Sequence, residues 1–340
     1  MANLPPQLPP PAKLLELLMG KLISDAICAA AEIGVADHLG DLPATSDDLA
    51  RKAGVDGPSL YRLMRALTTV GVFVETERGM FGHTDLSQLL RSNAPASIRP
   101  TALMVGSPWH RGAWERLATS VRTGQCSFEI AFGKPMFEFL GGHRDAAQVF
   151  DAAMSSLAAP TNAAIVSSYD FSNCATVVDV GGGRGTLLSA ILSRHPGIKG
   201  ILFDSAHVLG EAKAQLEAAQ VAQRCSIVEG SFFESVPSGA DTYVLKHVIH
   251  DWTDERAIAI FTNCARAMSK SGKVLVVERL VPDGNEPGIA KLLDLDMLVL
   301  AGGRERTENE LSHLLLRSGL KLSRAISTPV GVSIIEAVRS

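Results

Sequence analysis

Positive charge is in short supply in this 340-residue chain: 32 Lys and Arg stand against 36 Asp and Glu, leaving a net charge of −4. That balance excludes the broad basic footprint of a nucleic-acid binder or of a protein held on anionic membranes. Cysteine pairs are missing as well. Cys28, Cys126, Cys174, Cys225 and Cys264 are scattered and form no CxxC, which argues against a disulfide framework or a zinc site and fits thiols kept reduced in a cytosol. No long apolar run is free of charge, because the most apolar stretch, roughly 12–40, carries Lys13, Glu16, Lys21, Asp25 and Glu32; a membrane helix is not expected. The start, M-A-N-L-P-P-Q-L-P-P-P, has no basic segment ahead of an apolar core, so no signal peptide is read and a cytoplasmic location is expected. Its prolines make residues 1–11 read as a disordered leader.

What remains is an ordinary globular composition, 46% apolar and 20% charged, at a length that accommodates two domains. Residues 12–96 read as one domain, mostly helical by pattern over 12–90. Within them, T-S-D-D-L-A-R-K-A-G-V-D-G-P-S-L-Y-R-L-M-R-A-L-T-T-V-G-V-F (45–73) reads as a helix-turn-helix. Thr45 or Ser46 caps the first helix, Gly54 to Gly57 turn the chain, and Pro58-Ser59 start the second. F-V-E-T-E-R-G-M-F-G-H-T (73–84) then predicts a hairpin turning at Arg78-Gly79. Together these make a winged helix. Its second helix offers only Arg62 and Arg65 as basic side chains, so a dimerising role is expected in place of DNA reading. Residues 97–168 form a further helical linker rich in Met, Trp and Phe. Near 160–172, Pro160 and S-S-Y-D-F-S-N loosen the chain, and from 169 to 340 short β-branched runs alternate with amphipathic segments, the signature of βα units on a parallel sheet.

The strand tips carry the chemistry. A-T-V-V-D-V (175–180) is followed by G-G-G-R-G and a helix, so Gly181 and Gly183 allow a ligand close to the main chain. Counted from Gly181, the third position of a dinucleotide fingerprint is Thr186, which disfavours a nicotinamide dehydrogenase. The second strand, G-I-L-F, ends at Asp204, where a carboxylate can accept from ribose hydroxyls. C-S-I-V-E (225–229) leads to Ser231 and Phe232, placed to bond and stack an adenine. Y-V-L-K-H-V-I-H-D-W-T-D-E (243–255) ends in Lys246, His247, His250 and Asp251, and K-V-L-V-V-E (273–278) ends in Glu278. Open α/β sheets bind ligands along this carboxyl edge.

With V-D-V-G-G-G-R-G, I-K-G-I-L-F-D-S-A-H-V, H-D-W-T-D-E, G-K-V-L-V-V-E, L-L-D-L-D-M-L and G-G-R-E-R-T-E in order, the chain resembles the S-adenosylmethionine-dependent small-molecule O-methyltransferases of the plant caffeic-acid and bacterial hydroxyneurosporene type. The resemblance implies a Rossmann-like class I methyltransferase domain behind an N-terminal winged-helix dimerisation domain, and a homodimer without metal. It places Gly181 and Gly183 along the amino-acid part of the cofactor, Asp204 and Ser205 at the ribose, and Ser231, Phe232 and Lys246 at the adenine. Ser231 departs from the acidic residue usual in the family, and Ser205 from a usual leucine. His250 is implied as general base, bracketed by Glu278 and Glu305, with Asp251 at the pocket mouth.

The chemistry agrees with that implication. Methyl transfer from a sulfonium is an in-line displacement in which positioning can contribute an effective molarity of about 10⁵–10⁸ M. A phenol, with a pKa of about 10, is mostly neutral at pH 7, and an uncharged histidine taking its proton adds about 10²–10⁴-fold. Matched by position, the substrate-lining sites fall on Met104, Val105, His110, Met136, Leu140, Phe150, Met154 and Met297; methionines favour a flat aromatic acceptor. His110 serves equally well as a helix cap, and Asp294 and Asp296 read as solvated or capping carboxylates. His247 reads as a packing residue. A metal on His247, His250 and Asp251 lacks a completing ligand cluster in the sequence. Rival readings are N-, S- or C-methylation on the same fold, and a DNA-binding ligand sensor.

Overall fold

Two adjacent prolines begin the first helix, Pro10–Ile33, at positions where the missing N–H costs nothing. It ends where Gly34 adopts a left-handed conformation and donates its N–H to the Ala30 carbonyl. The computed structural model describes residues 8–206 and 208–340. Residues 10 and 11 of the expected leader are therefore helical, and its first seven residues lie outside the described part. The chain divides into two units. One runs to Arg111 and adds Arg144–Leu157; the other comprises Gly112–His143 and Ala158–Ser340.

In the first unit, the side chain of Thr45 accepts the Asp48 N–H at 3.1 Å and caps the helix Ser46–Ala53. Asp56 accepts the Ser59 N–H at 2.9 Å and caps Gly57–Thr68. Strands β1 (Ala44–Thr45), β2 (Phe73–Glu77) and β3 (Met80–His83) pair antiparallel in the order β1-β3-β2, so the helix-turn-helix and wing are both present. Leu49, Leu60, Met64, Leu67, Phe73 and Phe81 form their buried core. The first helix is different: Leu14, Leu17, Leu18 and Leu22 each keep 60% or more of their surface exposed.

The named elements between 99 and 168 are all helices: Arg99–Gly106, Pro108–Trp114, Leu117–Thr123, Ser127–Phe132, Met136–Gly142 and Arg144–Ser168. Pro160 does not loosen the chain as expected. It lies inside the last of these helices, whose C-terminal part buries Thr161, Asn162, Ala164 and Ile165, and that burial outweighs the lost hydrogen bond.

The second unit is built on seven strands: β4 (Thr176–Val180), β5 (Lys199–Asp204), β6 (Cys225–Glu229), β7 (Thr242–Lys246), β8 (Lys273–Glu278), β9 (Leu320–Ser327) and β10 (Ser333–Arg339). Their order is β6-β5-β4-β7-β8-β10-β9. The first five are parallel, while β10 runs antiparallel to both β8 and β9. Near-continuous apolar strands are what a sheet covered on both faces requires. Tyr243 and Leu245 enter the layer containing Ile260 and Phe261, whereas Val244 enters the one containing Leu188 and Ile191. Each such fully buried side chain contributes roughly 1.5–3 kcal/mol. The order reverses at β4, whose neighbours are β5 and β7, so the crevice beyond the tips of these strands is a ligand position.

Candidate active site

The tip of β4 turns through Gly181, Gly182 and Gly183. A Cβ at Gly182 would lie 2.5 Å from Leu202 Cδ1 and 2.6 Å from Asp179 Cγ, so only glycine lets the loop fold down onto the sheet. Gly183, left-handed at φ +60°, instead borders open space. Its N–H donates to Asp204 Oδ2 at 2.8 Å, and Ser205 binds Asp204 Oδ1 through its N–H at 2.7 Å and its hydroxyl at 3.2 Å. The glycine loop and the tip of β5 are thus tied together.

Asp179, buried under that loop, has an Oδ2 without a hydrogen-bond partner among the described residues. Burial pushes its carboxyl up to about 6, against the opposing pull of Lys246. Burial also lowers the proton affinity of Lys246, while Asp179 and Glu278 oppose the shift. The Lys246 Nζ donates to Asn162 Oδ1 at 2.9 Å, and Asn162 Nδ2 donates to Thr186 Oγ1 at 3.0 Å. Neither Asn162 nor Thr186 stood out in the sequence as a site residue. At the tip of β6, Ser231 Oγ accepts the Phe233 N–H at 3.3 Å. The Phe232 ring lies 4.8 Å from Phe233 and 6.0 Å from Trp252.

Beyond β7 and β8 stands the histidine cluster. Glu278 Oε1 accepts the main-chain N–H groups of Val248 at 3.1 Å, Ile249 at 2.9 Å and His250 at 3.4 Å, bending the chain around the carboxylate. Its Oε2 lies 3.4 Å from His247 Nδ1 and 3.5 Å from His250 Nδ1. His250 Nδ1 pairs more closely with Glu305 Oε1, at 2.9 Å, and its Nε2 is 3.8 Å from Asp251 Oδ1. Burial alone lowers the proton affinity of His250, but Glu278, Asp251 and Glu305 outweigh it and raise the imidazole to about 10. The three carboxylates around the ring thus favour its protonated form, a pull against the uncharged ring expected of a base. Asp251 is itself pushed up to about 6 by burial. Burial would raise Glu278 too, but the two histidines and the N–H groups hold it below the usual carboxylate range.

His247, expected as a packing residue, stacks on His250 and also faces Glu278. Its side chain is 31% exposed, its backbone is left-handed at φ 53°, and its ring lies 5.4 Å from that of His250. Arg306, unremarked within G-G-R-E-R-T-E, is buried and donates to the carbonyls of Ile249 at 3.0 Å and Trp252 at 2.8 Å and to Asp254 Oδ1 at 2.8 Å. It holds the turn that carries His250. Asp294 Oδ1 accepts the Glu305 N–H and Asp296 Oδ1 accepts Trp114 Nε1, so both carboxylates have protein partners.

The expected substrate-lining residues divide between the units. Met104, Val105, His110, Phe150 and Met154 belong to the first; Met136, Leu140 and Met297 belong to the second. Met104, His110, Met136 and Leu140 are buried, whereas Met154 is exposed. The His110 N–H donates to Ser107 Oγ at 3.4 Å, so the side chain at the start of the helix Pro108–Trp114 is that of Ser107, not of His110.

Comparison with known proteins identifies the family. Residues 114–321 match the family model of the O-methyltransferase domain, and residues 15–93 that of the O-methyltransferase dimerisation domain. The chain is 44% identical over 324 residues to a phenazine O-methyltransferase of Lysobacter antibioticus, covering 95% of each chain. It is 38% identical to a mitomycin biosynthesis 6-O-methyltransferase of Streptomyces lavendulae, covering 96% of this chain and 93% of that one. A phenazine-1-carboxylate N-methyltransferase of Pseudomonas aeruginosa is 31% identical, covering 96% and 97%. Among solved structures, an O-methyltransferase from neocarzinostatin biosynthesis, in complex with S-adenosylmethionine and 2-hydroxy-5-methyl naphthoic acid, superposes with a TM-score of 0.80 at 35% identity, covering 93% and 96%. No helix among the described residues is long and apolar enough to cross a membrane. The orphaned Asp179 oxygen, the open space at Gly183 and the acidic tip of β5 fit S-adenosylmethionine as the cofactor. With domain matches at both ends and relatives spanning nearly its full length, this chain belongs to the S-adenosylmethionine-dependent small-molecule O-methyltransferases, a class I catalytic domain preceded by a dimerisation domain.

Proposed function

We propose that this enzyme methylates a hydroxyl group on a fused-ring aromatic metabolite, with His250 as the general base. Bound S-adenosylmethionine supplies an electrophilic methyl group on a positively charged sulfur. Gly181 and Gly183 would hold the amino-acid part, where an ammonium group gives Asp179 its missing partner. Asp204 and Ser205 would hold the ribose, and Ser231, Phe232 and Lys246 the adenine side.

The observation that carries the reading is the grip on His250. Glu305 takes Nδ1 at 2.9 Å, which leaves Nε2 to receive the acceptor's proton and stabilises the imidazolium that forms. In the unliganded site the surrounding carboxylates favour the protonated ring. A cation bound at the same edge opposes the three carboxylates and lowers that proton affinity, so the ring becomes a base in the loaded enzyme. Asp251, whose Oδ1 is 3.8 Å from Nε2, would stand at the mouth of the pocket. Within the second unit, Met136, Leu140 and Met297 would line the acceptor, and the methionines suit a planar ring.

Phenazine, mitomycin and naphthoate relatives favour a fused aromatic acceptor. The N-methyltransferase among the relatives keeps nitrogen acceptors open as the second reading. A base held by two glutamates favours the hydroxyl, since an amine attacks with less need of proton removal. The test is a panel of hydroxyphenazines, hydroxynaphthoates and matched amines with labelled cofactor. Label entering only the amines overturns the O-acceptor reading. The exposed leucines of Pro10–Ile33 would pair two chains into a homodimer, the role their dimerisation-domain match suggests. No nucleic acid or membrane takes part in this reading, and a cytoplasmic location remains the expectation from sequence.

A further inference from the structure

His247, His250 and Glu278 bring three potential ligand atoms within 4.8 Å of one another. The separations from Glu278 Oε2 are 3.4 Å to His247 Nδ1 and 3.5 Å to His250 Nδ1. Both are long for N–H···O hydrogen bonds, which centre on about 2.9–3.0 Å. They are close to two edges of a coordination tetrahedron, because zinc–nitrogen and zinc–oxygen bonds of about 2.0–2.1 Å place neighbouring ligands about 3.3–3.4 Å apart, and the third edge, between the two rings, is within 4.8 Å. The carboxylate is fixed for such a role: main-chain N–H groups hold Oε1, and Oε2 is left facing the two rings. Glu305 Oε2, alongside, is buried without a hydrogen-bond partner among the described residues. The partly exposed His247 ring gives an ion a way in from solvent.

We propose that His247 Nδ1, His250 Nδ1 and Glu278 Oε2 form an inhibitory site for a borderline-soft divalent transition ion, Zn²⁺ in the first instance. Two imidazoles and one carboxylate are the donor set of such an ion and not of Mg²⁺ or Ca²⁺, which take oxygen ligands. The ion is no part of methyl transfer. Its binding releases the Nδ1 proton to solvent, moves the Glu305 carboxylate off the imidazole and places a double positive charge beside the reacting atoms. The binding claim rests on these separations and requires Glu305 Oε1, 2.9 Å from His250 Nδ1, to give way to the ion; the inhibition claim rests on the reading of His250 as base.

Full-length protein, freed of metal with a chelator, is titrated with Zn²⁺ by calorimetry and with Co²⁺ by visible absorption. The expected result is one saturable site per chain with Kd on the order of micromolar or tighter, and the intense d–d absorption of tetrahedral Co²⁺. His247→Asn, a residue that tolerates the left-handed backbone, should weaken Zn²⁺ binding at least about tenfold; His247→Phe, which keeps a ring against His250, should do the same. The site is overturned by absence of saturable binding, by an octahedral Co²⁺ spectrum, or by either variant binding like the parent. Turnover should fall in proportion to Zn²⁺ occupancy. A fully occupied site with undiminished turnover overturns the inhibition and counts against His250 as base, whereas failure to bind Zn²⁺ leaves that assignment untouched.

Discussion

Gly303 lies so close to His250 that a Cβ at position 303 would overlap the His250 carbonyl, and it would sit 2.5 Å from the Asp251 carbonyl carbon. The next N–H, that of Arg304, donates to the same carbonyl at 2.8 Å. This approach brings Glu305 within 2.9 Å of the imidazole. Gly303→Ala should therefore push the Glu305 segment away, lowering turnover by roughly tenfold or more and stability by about 1–3 kcal/mol. Steady-state kinetics with a thermal melt checks both; an alanine variant with parental turnover means Glu305 does not support catalysis.

Removing the base isolates its contribution. His250→Ala should reduce turnover of a phenolic acceptor by about 10²–10⁴-fold while cofactor affinity, read by calorimetry, stays close to the parent's. Parallel loss of cofactor binding would falsify the base assignment.

The cofactor contacts give a pair of opposed changes. Asp204→Asn removes a charged acceptor from the tip of β5 and should weaken S-adenosylmethionine binding by about 1.5–3 kcal/mol, roughly ten- to a hundredfold in Kd. Ser231→Asp restores a charged acceptor while keeping an oxygen for the Phe233 N–H, so affinity should rise. If calorimetry finds no change in either variant, the ribose and adenine positions are misassigned.

The carboxylates around His250 set a pH dependence. Burial favours the neutral ring, yet Glu278, Asp251 and Glu305 raise it from 6.5 to about 10 in the unliganded protein. A base must be uncharged, so activity should fall as pH drops through the pKa of the ring. With cofactor saturating, the acidic limb of kcat/KM should lie above 6.5, lowered from the unliganded position by the bound positive charge. Glu305→Gln removes one stabilising charge and should move that limb to lower pH. A parental limb at or below 6.5 contradicts the electrostatic account.

The exposed apolar face of Pro10–Ile33 predicts self-association. Leu18, 63% exposed, is a cleaner probe than Ile27, which packs against the core of the first unit. Leu18→Glu should give monomers by sedimentation without loss of melting temperature. Dimers persisting in that variant would place the interface elsewhere.

Local rules reached much of this molecule. Thr45 caps its helix as the capping preference requires, and the wing turns at Arg78-Gly79. The parallel strands β4 to β8 fall on the apolar runs that sequence periodicity marks, because a strand buried on both faces must be apolar along its length. Strands β9 and β10 escaped notice. Ser333–Arg339 contains Glu336 and Arg339, and Leu320–Ser327 alternates polar with apolar residues at the sheet edge, a weaker signature than a buried run.

Sequence by itself determined the order of the strands' chemical endings: glycines, Asp204, Ser231, the histidine segment and Glu278 all follow runs whose burial compels them to be strands. Only the tertiary structure decided which of these groups meet and in what charge state. Lys246 finds Asn162, Arg306 reaches back to the turn at Ile249–Asp254, and Glu305 closes on His250, in each case across more than fifty residues of intervening chain. The reason is physical. Strand formation is written in neighbouring residues, whereas the charge on an imidazole depends on the dielectric and on every carboxylate within a few ångströms, and those distances exist only once the sheet has assembled.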